Sequence, residues 1–167
     1  MMKKLFIACS FALCGLFISC GEDDETTIAS SLEVNLDANL ILSIVNGHRQ
    51  EGAVCGEDTQ ASVASLQWSD ELAKAALDHS NDMQMNDYFS HDSQDGRKFS
   101  QRATDAGFEG SPVGENIAGG YGSESAVMDG WMNSPGHCRN IMTSRATHIG
   151  VAKSDDGALW TMVLGKE

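Results

Sequence analysis

The length and strong acidity of this chain limit what it can be and what it can bind. It has 167 residues, of which 24 are acidic and 11 basic, giving a formal net charge of −13 at pH 7. A surface this acidic repels nucleic-acid phosphates and anionic lipid headgroups, so we expect no nucleic-acid partner, and the length suits a single-domain monomer.

The N-terminal residues carry the pattern of a secretory leader. Lys3 and Lys4 precede an uncharged, mostly apolar run at 5–19. This run is short for a membrane span but typical of a signal peptide. We therefore predict that residues 1–19 are a signal peptide and that the mature protein is exported.

Cys20, at the end of this run, adds a second prediction. Between the small residues Ser19 and Gly21, it resembles a bacterial lipoprotein processing site, in which the cysteine becomes the lipidated first residue. The acidic run at 22–25 resembles the signal that sends some lipoproteins to the outer cell surface. We predict an outer-membrane or cell-surface lipoprotein that touches the membrane only through this lipid. Phe17 departs from the lipoprotein pattern, which usually has leucine there, and Cys14 is a weaker competitor for the lipid site. Ordinary cleavage, giving a secreted or periplasmic protein, is the alternative.

The rest of the chain divides into a tether and a folded domain. Residues 20–35 are acidic, rich in Ser and Thr and poor in large apolar groups, so we predict a lipidated, flexible tether. Residues 36–167 show the apolar periodicity of a packed domain.

Apolar periodicity and capping residues predict four helices. The predicted spans are 36–51, 69–87, 99–106 and 123–133. Ser69 is a favourable N-cap, and Gly52 and Gly107 are placed to end the first and third helices. Along the first helix we expect one buried stripe, made of Leu36, Leu40, Ile41, Ile44, Val45 and His48.

Two strand-like runs, 148–152 and 159–164, close the chain. They are joined by Asp155-Asp156-Gly157, a strong hairpin signal. Helices arranged around a small antiparallel sheet indicate an α+β domain.

Cysteine usage predicts one disulfide. Three of the five cysteines fall in the leader or at the proposed lipid site, which leaves Cys55 and Cys138. In an exported domain two remaining thiols most often pair. The alternative is that Cys138, beside His137, is a catalytic nucleophile.

Three polar segments are candidates for a functional site. The segment 131–142 places His137 directly after Pro135-Gly136, so we expect a sharp turn that presents the imidazole at the rim of a groove. The other two segments contain Glu115 and His91. We predict that His91, Glu115 and His137 converge.

Several motifs together resemble those of the CAP superfamily, which includes cysteine-rich secretory, antigen 5 and pathogenesis-related 1 proteins and is also called the SCP domain. The similarity covers about residues 38–165, in the right order, and looks like the short bacterial form. The motifs that carry it are Asn46-Gly47-His48-Arg49, Leu66-Gln67-Trp68, Phe89-Ser90-His91, Gly114-Glu115-Asn116-Ile117-Ala118, Trp131, Ser134-Pro135-Gly136-His137-Cys138-Arg139-Asn140-Ile141-Met142 and Ile149-Gly150-Val151-Ala152. The resemblance implies a three-layer α-β-α sandwich with an open cleft beside the sheet.

In that family the cleft is lined by two histidines and two acids. Matched motif by motif, the histidines correspond to His91 and His137, and one acid corresponds to Glu115. The second acid of the eukaryotic relatives lies three residues after the helix tryptophan, where this chain has Ser134. This departure puts any mechanism that needs two carboxylates in question.

The chemistry of these residues suggests two functions. Two neutral imidazoles and water suit a weakly held divalent metal such as zinc, with Glu115 orienting an imidazole. We therefore expect a non-enzymatic surface module that binds a metal, a small lipid or a protein ligand. The alternative is a metal-assisted hydrolase of peptide, cell-wall or ester substrates with Glu115 as general base. A purely structural hydrogen-bonded network is the third interpretation of the cluster.

Overall fold

The computed structural model describes residues 32–167 of the chain. The predicted signal peptide at 1–19, the predicted lipid site at Cys20 and most of the predicted tether lie outside the described residues. Among the helices of residues 32–167, none is both long enough and apolar enough to cross a membrane.

Five α-helices and six β-strands form the described part of the chain. The helices are α1 (Ala38–Glu51), α2 (Asp70–Met85), α3 (Phe99–Asp105), α4 (Glu124–Met132) and α5 (Pro135–Ile141). The strands are β1 (Ala53–Cys55), β2 (Asp58–Gln60), β3 (Gln67–Trp68), β4 (Ser111–Gly119), β5 (His148–Lys153) and β6 (Leu159–Lys166). The predicted α+β class is confirmed.

Helix ends follow the capping residues of the sequence. The Ser69 hydroxyl accepts a hydrogen bond from the backbone N–H of Leu72 at 3.2 Å, as expected of an N-cap. Gly107, with a φ of +100°, follows α3 in the left-handed conformation that favours glycine. The second helix ends at Met85, two residues before the predicted Asp87, which itself adopts a φ of +51°.

The last residues of the predicted tether pack against the domain. Val34 is buried, and its carbonyl accepts a hydrogen bond from the backbone N–H of Lys153 at 3.0 Å. Asn35 Nδ2 donates to the Lys153 carbonyl, also at 3.0 Å. The packed domain therefore begins before residue 36.

Four strands form the main sheet, in the order β3-β5-β6-β4. The β3 and β5 strands are parallel, and the other neighbours are antiparallel. The predicted hairpin between β5 and β6 is present, with Gly157 at a φ of +76° in its turn. A separate two-stranded hairpin contains β1 and β2.

The strand β4 was not predicted from the sequence. It pairs with β6 along nearly its whole length, and residues 114–118 are all buried. A strand buried on both faces loses the alternation of apolar and polar residues by which strands are recognised. Because Glu115 lies in this strand, its position is set by the sheet and not by a loop.

Helices cover both faces of the sheet, as the α-β-α sandwich requires. Successive residues of β6 point to opposite faces, so Val163 packs with Leu72 of α2 while Met162 and Leu164 pack on the side of α1, α4 and α5. The α2 helix approaches very closely at Gly150, where a Cβ would overlap the backbone of Leu72 and Ala73.

The buried stripe of α1 differs from the predicted one at two positions. Leu40, which was predicted to be buried, is 44% exposed. Ile41 and Val45 are buried, but His48 is only half-buried, and Arg49 is fully buried instead. Positions 41, 45 and 49 are spaced by four residues, so Arg49 continues the stripe. Its guanidinium donates to the carbonyls of Ala64 at 2.8 Å and Ile141 at 2.6 Å, and burial lowers its pKa.

The prediction of a sharp turn before His137 is wrong. Pro135 is the first residue of α5, where its fixed φ and missing N–H suit a helix start, and His137 is the third. The predicted disulfide between Cys55 and Cys138 is confirmed, and it joins α5 to β1 across 83 residues of sequence. Cys138 is therefore not a free thiol, which excludes it as a nucleophile.

Candidate functional site

A direct hydrogen bond joins two of the three predicted site residues. His91 Nδ1 lies 2.8 Å from Oε1 of Glu115. A carboxylate can only accept, so Nδ1 carries the proton, and in the neutral imidazole Nε2 holds the lone pair. The His91 side chain is 53% exposed, whereas that of Glu115 is 1% exposed. Glu115 thus fixes an accessible imidazole in one tautomer.

Arg102, which the sequence reasoning missed, occupies the other side of Glu115. Its Nη2 donates to Glu115 Oε2 at 2.5 Å, and its side chain is 4% exposed. The same guanidinium donates to the carbonyls of His91 and Arg97, each at 3.0 Å, and to the Ser93 hydroxyl at 3.1 Å. Arg102 therefore neutralises Glu115 and also holds the loop that carries His91.

A sequence signal for Arg102 does exist. Phe99, Arg102, Ala103 and Ala106 are spaced by three and four residues, which is the spacing of one helix face. An arginine on an otherwise apolar face indicates a buried cation, and a buried cation needs acceptors nearby. The arginine could have been found this way, but its partner Glu115 could not.

His137 is held next to this pair by two asparagines. Asn116 Nδ2 donates to the His137 carbonyl at 3.2 Å. Asn140 Nδ2 donates to the Glu115 carbonyl at 3.1 Å and to Asn116 Oδ1 at 2.9 Å. These amide hydrogen bonds link α5 to β4. They explain how the Gly-Glu-Asn and Pro-Gly-His segments meet.

The two imidazoles have opposite electrostatic surroundings. The hydrogen bond that His91 donates to Glu115 raises the pKa of His91, while burial and the positive charge of His91 lower the pKa of His137. No side chain or backbone group of residues 32–167 forms a hydrogen bond with the half-buried His137 ring. The charge of His91 thus acts on His137, which stays neutral to lower pH than an ordinary histidine.

Replacing Glu115 with glutamine is expected to lower the pKa of His91 towards the ordinary histidine value of about 6.5, because the amide supplies no negative charge. NMR titration of the imidazole protons measures this shift. Glu167→Gln is the matched control, since Glu167 pairs with His148 at 3.4 Å and should leave His91 unchanged. An unchanged His91 titration in Glu115→Gln would contradict the assigned contact.

Ser134 and His79 are two further residues near the candidate site. Ser134 is the half-buried N-cap residue of α5, and its hydroxyl does not cap the helix. His79 is fully buried, its Nε2 lies 2.9 Å from the Ser90 carbonyl, and burial and the charge of Arg102 lower its pKa. His79 is therefore a packing residue that supports the His91 loop.

The donor set available to a metal ion is small. Across residues 32–167, no group of three or more His, Cys, Asp or Glu side chains is arranged to hold an ion. Both oxygens of Glu115 already accept N–H groups, which leaves the Nε2 atom of His91 and the ring of His137. This set does not suit a closed four-ligand structural zinc site.

Comparison with known proteins identifies the family. The model of the cysteine-rich secretory protein (CAP) family matches residues 42–164. Among curated proteins, the chain is 32% identical over 141 residues to the uncharacterized protein YkwD of Bacillus subtilis and 38% identical over 89 residues to the uncharacterized membrane protein YlbC of the same species. These matches cover 84% and 53% of the chain, but only 51% and 26% of the two relatives.

Solved structures show the same fold. An extracellular protein containing an SCP domain from Bacillus anthracis is 29% identical, with a TM-score of 0.63 over 77% of this chain and 38% of that one. An outer surface protein of Borrelia burgdorferi is 21% identical, with a TM-score of 0.61 over 79% of this chain and 96% of that one. Because the family model spans most of the described residues, the chain belongs to the cysteine-rich secretory protein (CAP) family.

Proposed function

We propose that this protein is an exported, non-enzymatic surface module whose cleft binds a divalent metal ion such as Zn²⁺ through His91 and His137. The observation that carries the proposal is the Glu115 contact, which keeps the proton of a neutral His91 on Nδ1 and leaves its Nε2 lone pair free. The ring of His137, whose pKa burial and the charge of His91 lower, has no hydrogen-bond partner in the described residues. A small lipid or protein ligand in the same cleft stays a prediction of the family resemblance.

The residues present fit a weakly held ion. Imidazole nitrogens suit Zn²⁺, Cu²⁺ and Ni²⁺, and a carboxylate on the far nitrogen is the usual way to orient a metal-binding histidine. With two protein ligands, water would complete the coordination, so the ion would exchange readily. A bound ion would supply Lewis acidity, and Glu115 would remain with Arg102.

The position of Glu115 supports binding over catalysis. A general base must be within reach of the water whose proton it takes. The Glu115 side chain is 1% exposed, and each of its oxygens already accepts an N–H from His91 or Arg102. Ser134 stands where the eukaryotic relatives have the second acid. This set lacks an accessible carboxylate for the hydrolase alternative.

Alanine at His91 or at His137 is expected to abolish measurable Zn²⁺ binding by isothermal titration calorimetry, because each replacement leaves one nitrogen ligand. Glu115→Gln should weaken binding about tenfold through the lost orientation of His91. His48→Ala is the matched control, since His48 is half-buried on α1. Equal affinity in all variants would refute the site. Peptide or ester hydrolysis that survives purification and disappears in His137→Ala and Glu115→Ala would refute the non-enzymatic assignment.

The proposed location rests on the N-terminal sequence and on the relatives. Two structurally similar proteins are described as extracellular or as an outer surface protein, which supports export of this chain. Palmitate labelling tests the lipid anchor: it should be present in the wild type and absent in Cys20→Ser, with Cys14→Ser as the control. Labelling retained in Cys20→Ser would place the lipid on another residue, and a wild type that takes up no palmitate would favour the secreted or periplasmic alternative.

A further inference from the structure

A recess of about 420 Å³ opens between the end of α2 and the turn that joins β5 to β6. Its apolar lining includes Met83, Phe89 and Leu159. Phe89 is 56% exposed, which is unusual for a large aromatic side chain. Recesses of this volume accommodate a few side chains of a ligand. An apolar surface of this kind favours a partner that covers it.

Two carboxylates flank this apolar lining. Asp87 lies in the left-handed region at a φ of +51°, and its side chain has no partner among residues 32–167. Asp156 Oδ1 accepts from the Ser154 hydroxyl at 2.6 Å and from the Ala158 N–H at 2.9 Å, and these bonds keep its pKa low. No basic residue lines the recess. It therefore presents negative charge beside exposed apolar surface.

The wall that carries Phe89 is fixed on both sides of that residue. The Tyr88 hydroxyl bonds to Asp82, and the Ser90 carbonyl is held by His79. At the next residue, the His91 carbonyl accepts a hydrogen bond from Arg102. A surface held in place before binding loses less entropy when it binds a ligand. Phe89 is thus exposed on a segment that hydrogen bonds hold in place.

We propose that this recess binds a basic peptide segment of a partner protein, with a lysine or arginine between Asp87 and Asp156 and a neighbouring apolar side chain against Phe89 and Leu159. Charge complementarity selects the cation, because the lining contains carboxylates and no base. The recess is open to solvent and so does not enclose an acyl chain, and its acids repel anionic headgroups. A small amine would satisfy the carboxylates but would leave Phe89 uncovered.

The test uses the purified protein and fluorescence anisotropy of a fluorescein-labelled octapeptide that contains arginine, leucine and tryptophan. We expect Phe89→Ala to weaken binding about tenfold, and Asp87→Asn with Asp156→Asn to weaken it about fivefold or more. Asparagine tolerates the left-handed backbone at 87 and retains the accepting oxygen at 156. Asp129→Asn, an exposed acid on α4, is the matched control and should change nothing.

Three results would overturn the proposal. The first is equal binding of a peptide in which glutamate replaces each arginine. The second is an affinity that Phe89→Ala and the asparagine variants leave unchanged. The third is binding of phosphatidylcholine vesicles that depends on Phe89 when the peptide does not bind. The peptide proposal does not depend on the metal, so peptide affinity should be the same with a chelator and in His137→Ala. A failure of the peptide proposal can therefore be told apart from a failure of the metal site.

Discussion

Replacing Arg102 with methionine is expected to lower the free energy of unfolding by about 3–5 kcal/mol, measured by urea denaturation. The side chains of Arg102 and Glu115 are 4% and 1% exposed, so removing the cation leaves a buried carboxylate without its main counterion. The loop carrying His91 also loses the hydrogen bonds that the guanidinium donates to it. Both losses act on the folded state.

A double-mutant cycle separates these contributions. Combining Arg102→Met with Glu115→Leu removes both charges, so this variant should be more stable than Arg102→Met alone. Lys74→Met is the matched control, since its ion pair with Asp78 is exposed at 51% and 56% and should contribute less than about 1 kcal/mol. A cost for Arg102→Met as small as that of Lys74→Met would contradict the buried pair.

Arg102→Met is also expected to change the pKa of His91. The positive charge of Arg102 lowers the pKa of His91, so Arg102→Met should raise that pKa further. A protonated His91 cannot bind a metal ion, so we expect weaker Zn²⁺ binding near neutral pH, with the difference shrinking as the pH rises. A loss of affinity that is independent of pH would instead indicate that the loop has moved.

Local features of the sequence were enough to predict much of the fold. Ser69 and Gly107 mark helix ends because capping depends on a few adjacent residues. The Asp-Asp-Gly turn fixes the hairpin for the same reason. The disulfide followed from cysteine count and export, without knowledge of the fold.

The features that escaped prediction depend on distant parts of the chain. Arg49 and Arg102 are both buried on apolar helix faces, and the groups that compensate them come from remote segments, such as the carbonyl of Ile141 and the carboxylate of Glu115. The strand β4 showed no alternation because it is buried on both faces. The candidate site was the hardest part to predict, because Arg102 and the hydrogen bonds of Asn116 and Asn140 all depend on partners from distant parts of the chain.

Removing the disulfide with Cys55→Ala and Cys138→Ala together is expected to lower the free energy of unfolding by about 3–4 kcal/mol. The bridge spans 83 residues, so it restricts the unfolded chain strongly, and both cysteines, one in β1 and one in α5, are buried in the core. Reduced wild type is the matched comparison: urea denaturation with dithiothreitol should bring it close to the alanine variant, which dithiothreitol should not affect. Coincident curves for wild type with and without reductant would contradict a stabilising bridge.

Loss of the disulfide is expected to lower the stability of the protein but to change the position of His137 little. The C-terminal end of α5 is still held by Arg49 through the Ile141 carbonyl, and its N-terminal half by Asn116 through the His137 carbonyl. Below the unfolding transition, the double alanine variant should therefore bind Zn²⁺ within about tenfold of wild type. A larger loss, with the helix signal unchanged by circular dichroism, would mean that the disulfide and not the asparagine links positions the imidazole.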